Sequence, residues 1–126
     1  MRVSIKDGLV NFFFKDNEEY QSFSRIITIL NNILKITVVE KEGKYNKNIV
    51  VPEEFIELSK NITINKDPMK HQIKISIKDA KILFLYGSDI LYALSEADHI
   101  EKNIREYYGH IAKLASNIYV KLKEMD

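Results

Sequence analysis

Apolar residues recur at every seventh position through the last third of the chain: Ile90, Ala97, Ile104, Ile111, Ile118 and Met125. A companion series, Ala93, Ile100, Tyr107 and Leu114, runs beside it and lapses at Lys121. The opposite positions, Ser95, Lys102, Gly109, Ser116 and Lys123, hold nothing a core would take up. Such a repeat brings the apolar side chains back to one side of a helix and makes the seam along which it packs on another. The spacing predicts a long amphipathic helix over Ser88–Asp126. Unbroken, it would run roughly 55 Å at about 1.5 Å per residue, against a diameter of roughly 36 Å for a compact chain of this length. Such a helix outruns its own domain. Its seam is therefore expected to hold a homodimer together through Ile90, Ala97, Ile100, Ile104, Tyr107, Ile111, Leu114 and Ile118. Gly109 offers the alternative of two helices folded back on each other, since glycine weakens a helix interior and favours helix ends. The seam stays in register across Gly109, which favours one helix. Leu94, Tyr108, Ala115 and Leu122 widen the stripe to the breadth of a helix lying on a sheet.

The 126 residues fit a single domain, a sheet-rich body over 1–87 followed by the helical segment 88–126. An apolar content of 45% supports a real core. Without cysteine the chain has no disulfide, no thiol nucleophile and no cysteine metal site. No apolar run reaches membrane-spanning length, and Met1 leads at once into a strand-like pattern rather than a signal peptide. A soluble, cytoplasmic protein without membrane contact is expected. Heavy use of Ile, Lys and Asn fits an AT-rich, thermophilic source.

Two hairpins frame the body. Val3 and Ile5 alternate with Arg2, Ser4 and Lys6; Asp7-Gly8 is a strong turn signal; Val10, Phe12 and Phe14 resume on one face while Asn11, Phe13 and Lys15 take the other. Asp16 or Asn17 caps a helix over 17–34. Lys35 to Glu42 and Asn48 to Val51 form a middle hairpin, Pro52 opens a short helix over Glu53–Ser59, and Ile62 and Ile64 mark a brief strand before an Asp67-Pro68 turn. Residues 71–86 read as the second outer hairpin, bending near Asp79-Ala80. Val3-Ser4-Ile5-Lys6-Asp7 recurs as Ile75-Ser76-Ile77-Lys78-Asp79, and at the same offset Phe12 meets Phe84 and Tyr20 meets Tyr92, which suggests a duplicated β-β-α unit. The fold class is α+β: an antiparallel sheet of two β-hairpin–helix units plus a middle hairpin, with the long C-terminal helix.

Catalytic constellations are weak. His71, His99 and His110 do not form an i, i+4 metal pair. Glu106 and His110 have the spacing of a surface contact. The glycines at 8, 43, 87 and 109 are isolated, so no phosphate loop exists; Tyr86-Gly87-Ser88, read as a strand-to-helix turn, is the nearest approach to an anion site. A binding protein without cofactor or metal is expected, not an enzyme.

Charge singles out one block. Residues 1–59 carry a net −1, residues 60–81 a net +4 and residues 82–126 a net −2. With helices on one face of the sheet, the open face displays Lys6, Phe13 and Lys15 from the first hairpin and Lys74, Lys78 and Lys81 from the second, while Lys44, Tyr45 and Lys47 extend the track from a loop. Lysines following a phosphate backbone beside a ring for base stacking suit a single-stranded nucleic acid. Glu40, Glu42, Asp67 and Asp79 interrupt the track. The alternative is a protein–protein adaptor, since Leu83 and Leu85 make the 82–86 segment apolar on both sides.

Overall fold

The computed structural model describes residues 1–39, 57–58, 62–98 and 100–125. Strands β1 (Arg2–Lys6) and β2 (Leu9–Phe13) form the first hairpin, and α1 spans Asn17–Val39. Strands β3 (Ile64–Asp67) and β4 (Gln72–Ser76) form a second hairpin, followed by α2 (Ile77–Ser95) and α3 (Lys102–Met125). The four strands make one antiparallel sheet in the order β1-β2-β4-β3. This is an α+β fold.

The first hairpin is made by its turn. Asp7 and Gly8 both take positive φ, 53° and 75°, as a two-residue turn matched to strand twist requires. Asp16 caps α1, its Oδ1 accepting from the Glu19 amide at 2.9 Å, and Glu18 and Glu19 place negative charge in the first turn. In the second hairpin the Asp67 carboxylate accepts from the Lys70 amide, and His71 closes the turn at φ 52°.

Three local readings are overturned. Lys35–Val39 is helical, continuing α1 through Ile-Thr-Val-Val, because β-branched residues lower helix propensity by only tenths of a kcal/mol each, too little to end a helix already formed. The remainder of the expected middle hairpin lies outside the described residues. Of the expected helix over Glu53–Ser59, Glu57 and Leu58 are helical and the rest lies outside them. The 71–86 hairpin is the second correction: its first strand ends at Ser76, whose Oγ accepts from the Asp79 amide at 3.1 Å and starts α2 with no intervening loop. The burial of Ala80, Leu83, Phe84, Gly87, Ser88 and Leu91 has helical spacing, not the alternation of a strand.

The long C-terminal helix is present as α3, and the third correction is its extent, which begins at Lys102 and not at Ser88. The chain leaves α2 at Ser95, turns with the Glu96 amide donating a hydrogen bond to the Ala93 carbonyl and the Ile100 amide to that of Ala97, and re-enters helix at Lys102. The break falls at Glu96–Glu101, not Gly109. α2 and α3 run antiparallel, Gly109 lying opposite Ser95 while Ser88 and Tyr92 adjoin Ala112 and Ser116. Two shorter helices shield much of each other's seams within one chain. Ile90, Ile111 and Ile118 are buried in this core, Leu114 packs against it, Ala97 and Ile100 sit half-buried in the turn, and Ile104 and Tyr107 remain exposed.

The offset of 72 does not mark structural equivalents either, for it pairs Phe12 of β2 with Phe84 of α2. A β-β-α unit nonetheless occurs twice, as β1-β2-α1 and β3-β4-α2. Their inner strands meet with Val10 opposite Ile75 and Phe12 opposite Ile73. These four fully buried side chains face the helices, and each contributes roughly 1.5–3 kcal/mol by leaving water. Phe12, Phe23 and Phe84 join sheet, α1 and α2, with ring centroids 4.8 to 6.2 Å apart. Gly87 lets α2 approach α1: a Cβ there would lie 2.7 Å from Leu30 Cδ2. The Ile77 amide donates to the Gly8 carbonyl at 2.9 Å, fastening α2 to the first hairpin's turn.

Candidate nucleic-acid interface

Strand alternation puts every second residue on the face away from the helices. The register groups those residues into three rows. Arg2, Phe13, Gln72 and Asp67 form the first, Ser4, Asn11, Lys74 and Asn65 the second, and Lys6, Leu9 and Ser76 the third. Lys74 stands exposed in the middle row, diagonal to Phe13 across β2–β4. The Arg2 guanidinium lies 4.6 Å from the centre of the Phe13 ring, a cation over a π face. Three cations and one carboxylate, with amides between them, give the face its character.

Among the described residues, the Asn11 side-chain oxygen is buried without a hydrogen-bond partner at the centre of this face. An orphan acceptor of this kind is uncommon in folded proteins. At the end of the second hairpin, Asn65, Lys66, Asp67, Lys70, Gln72 and Lys74 line a polar hollow of about 330 Å³. Burial pushes the phenol of Tyr20 above its ordinary pKa, and the Asp67 carboxylate adds to the shift.

Of the residues singled out from the sequence, Lys6, Phe13 and Lys74 come together on the open face, and Lys15 stands exposed just beyond β2. Lys78 and Lys81 do not join them. Both lie in the first turns of α2, in the helical layer, because the strand expected to carry them is helix, and Lys81 is half-buried. Lys44, Tyr45 and Lys47 lie outside the described residues. Leu83 and Leu85 are also helical, Leu83 fully buried, so they form no apolar sheet face. Strand reading missed Leu9 beside the first turn, and on β3 it missed Asn65 and Asp67. The signal for the latter two was the alternation of Ile62 and Ile64, which places 65 and 67 on the opposite side.

The catalytic candidates stay apart. Tyr86-Gly87-Ser88 is mid-helix, with Ser88 Oγ donating to the Leu85 carbonyl at 2.7 Å and Gly87 against Leu30, so it offers no free amides to an anion. His71 lies beside Tyr20 with ring centroids 6.3 Å apart, while His110 is exposed on α3; His99 lies outside the described residues. Among the described residues no cluster of three His, Asp or Glu could hold a metal, and no helix is long and apolar enough to cross a membrane. No protein-family model, curated protein or solved structure matches this chain.

Proposed function

We propose that this chain is a non-enzymatic binding protein whose open sheet face holds single-stranded nucleic acid. The observation that carries the reading is the middle of that face, where Lys74 stands diagonal to Phe13 and opposite Asn11. A lysine there neutralises a phosphate, and the ring of Phe13 offers a surface for a base. Arg2 and Lys6 extend the cationic track along β1. Asp67 opposes it at one end, so the backbone would cross the sheet on the side of β1, β2 and β4.

A second reading, a protein adaptor, is favoured by a different place. An open groove of about 310 Å³ runs between α1 and α3, lined by Phe14, Phe23, Ile26, Leu114 and Ile118 with Lys121 among its polar neighbours. It is the kind of surface an apolar peptide side chain occupies.

The test is fluorescence anisotropy of labelled single-stranded DNA, single-stranded RNA and duplex at low and raised salt. Single strands bind, and affinity falls with salt as released counterions require. Lys6→Glu with Lys74→Glu lowers affinity by more than about tenfold and flattens the salt slope, while Phe13→Ala weakens binding without changing that slope. Unchanged affinity in the folded lysine double variant removes the site assignment. An absence of binding at low salt removes the nucleic-acid reading and turns attention to the α1–α3 groove.

A further inference from the structure

The outer side of the α2–α3 hairpin holds a groove of about 410 Å³ that the sheet-face reading does not use. Its floor is Ser88, Gly109 and Ala112. Asp89 and Tyr92 of α2 make one wall, and Lys113, Ser116 and Asn117 of α3 make the other. Tyr92 is 60% exposed, and Val120, two helical turns beyond Lys113, is 48% exposed. Asp89 and Lys113 are also exposed, and among the described residues neither has an ion-pair partner.

A groove with one charge of each sign on opposite walls has a particular symmetry. Rotation by 180° about an axis along its length lays the negative wall on the positive one and the positive on the negative. That is the requirement for an isologous contact, in which one patch pairs with itself. Tyrosine, a flat ring with a polar tip, is enriched in such contacts.

We propose that this groove is a self-complementary surface that takes a second copy of the chain, Asp89 of each protomer meeting Lys113 of the other and Tyr92 closing the contact. The proposal moves self-association away from the heptad seam, whose Ile90, Ile111 and Ile118 are inside the protomer. It does not depend on the nucleic-acid reading.

The experiment is sedimentation velocity of the full chain over a range of concentrations, with far-UV circular dichroism to establish that each variant is folded. Wild type sediments as a dimer at tens of micromolar. Asp89→Lys alone and Lys113→Asp alone each place like charges together twice per dimer, raising the dissociation constant by about 10- to 100-fold. Mixing those two variants restores the dimer, because every contact then joins opposite signs, and the double variant Asp89→Lys/Lys113→Asp dimerises by itself. A monomeric wild type overturns the proposal. So do single variants that dimerise as wild type does, or folded single variants whose mixture stays monomeric.

Discussion

Gly87 and Gly109 invite the same substitution with opposite results. Both are helix-interior glycines, so alanine gains about 1 kcal/mol of helix propensity at each. At Gly109 the new methyl would sit 3.6 Å from Ser95 Cβ, an ordinary contact, and the gain survives. At Gly87 it would sit 2.7 Å from Leu30 Cδ2, about 1 Å inside the usual carbon–carbon separation. Leu30 is fully buried, so its Cδ2 can move aside only by displacing its packed neighbours. Overpacking of this kind costs about 1–3 kcal/mol. Subtracting one variant's stability from the other cancels the propensity and leaves the clash, a difference of about 1–3 kcal/mol with Gly109→Ala the more stable. Urea denaturation followed at 222 nm, at one protein concentration, measures it. In a Leu30→Ala background the methyl has room, and Gly87→Ala should there stabilise as Gly109→Ala does. Equal stabilisation by both substitutions in the wild-type background would refute the close approach of α2 to α1.

Two further outcomes can be measured on the same material. Ser76→Ala removes the side chain that accepts from the Asp79 amide and should cost about 0.5–2 kcal/mol in urea denaturation, while Gln21→Ala, on an exposed stretch of α1, should cost far less. Tyr20 carries its proton to higher pH folded than unfolded, so its contribution is present below about pH 10 and is lost as pH rises through the folded value. Tyr20→Phe should make stability fall less steeply than wild type between pH 9 and 11, in thermal melts at each pH.

How far the sequence could be read depended on which periodicity each stretch carried. The first hairpin was fully legible, because Asp7-Gly8 has one natural conformation between alternating strands, while the cap of α1 was legible only as Asp16 or Asn17. Ile36–Val39 and Ile82–Tyr86 misled for a common reason. Runs of branched and aromatic residues suit strands locally, but a formed helix and a well-placed cap outweigh that preference. In the second case Ser76 and Asp79 carried the deciding signal, since a serine with an acid three residues on starts helices more readily than it turns hairpins. The heptad series extended through Glu96–Glu101 because nothing there is glycine or proline. Ile90 of α2 and Ile111 and Ile118 of α3 share a phase because they enter one core from two antiparallel helices. Of the candidate face, Lys6, Phe13 and Lys74 were readable from strand alternation alone. Lys78 and Lys81 were not, since their placement rested on the misread strand, and the rows of the sheet needed the β2–β4 pairing that no local pattern reveals.

That pairing also orders the events of folding. The α2–α3 hairpin and both β-hairpins join neighbours in sequence, and such elements form in microseconds. The β2–β4 joint brings Val10 against Ile75, and so must close a loop of more than sixty residues before it returns any stabilisation. The two β-β-α halves are therefore expected to be largely formed before they dock, and their docking sets the rate. A one-residue shift in β4 would turn Ile73 and Ile75 out of the core and leave the halves nothing to recognise.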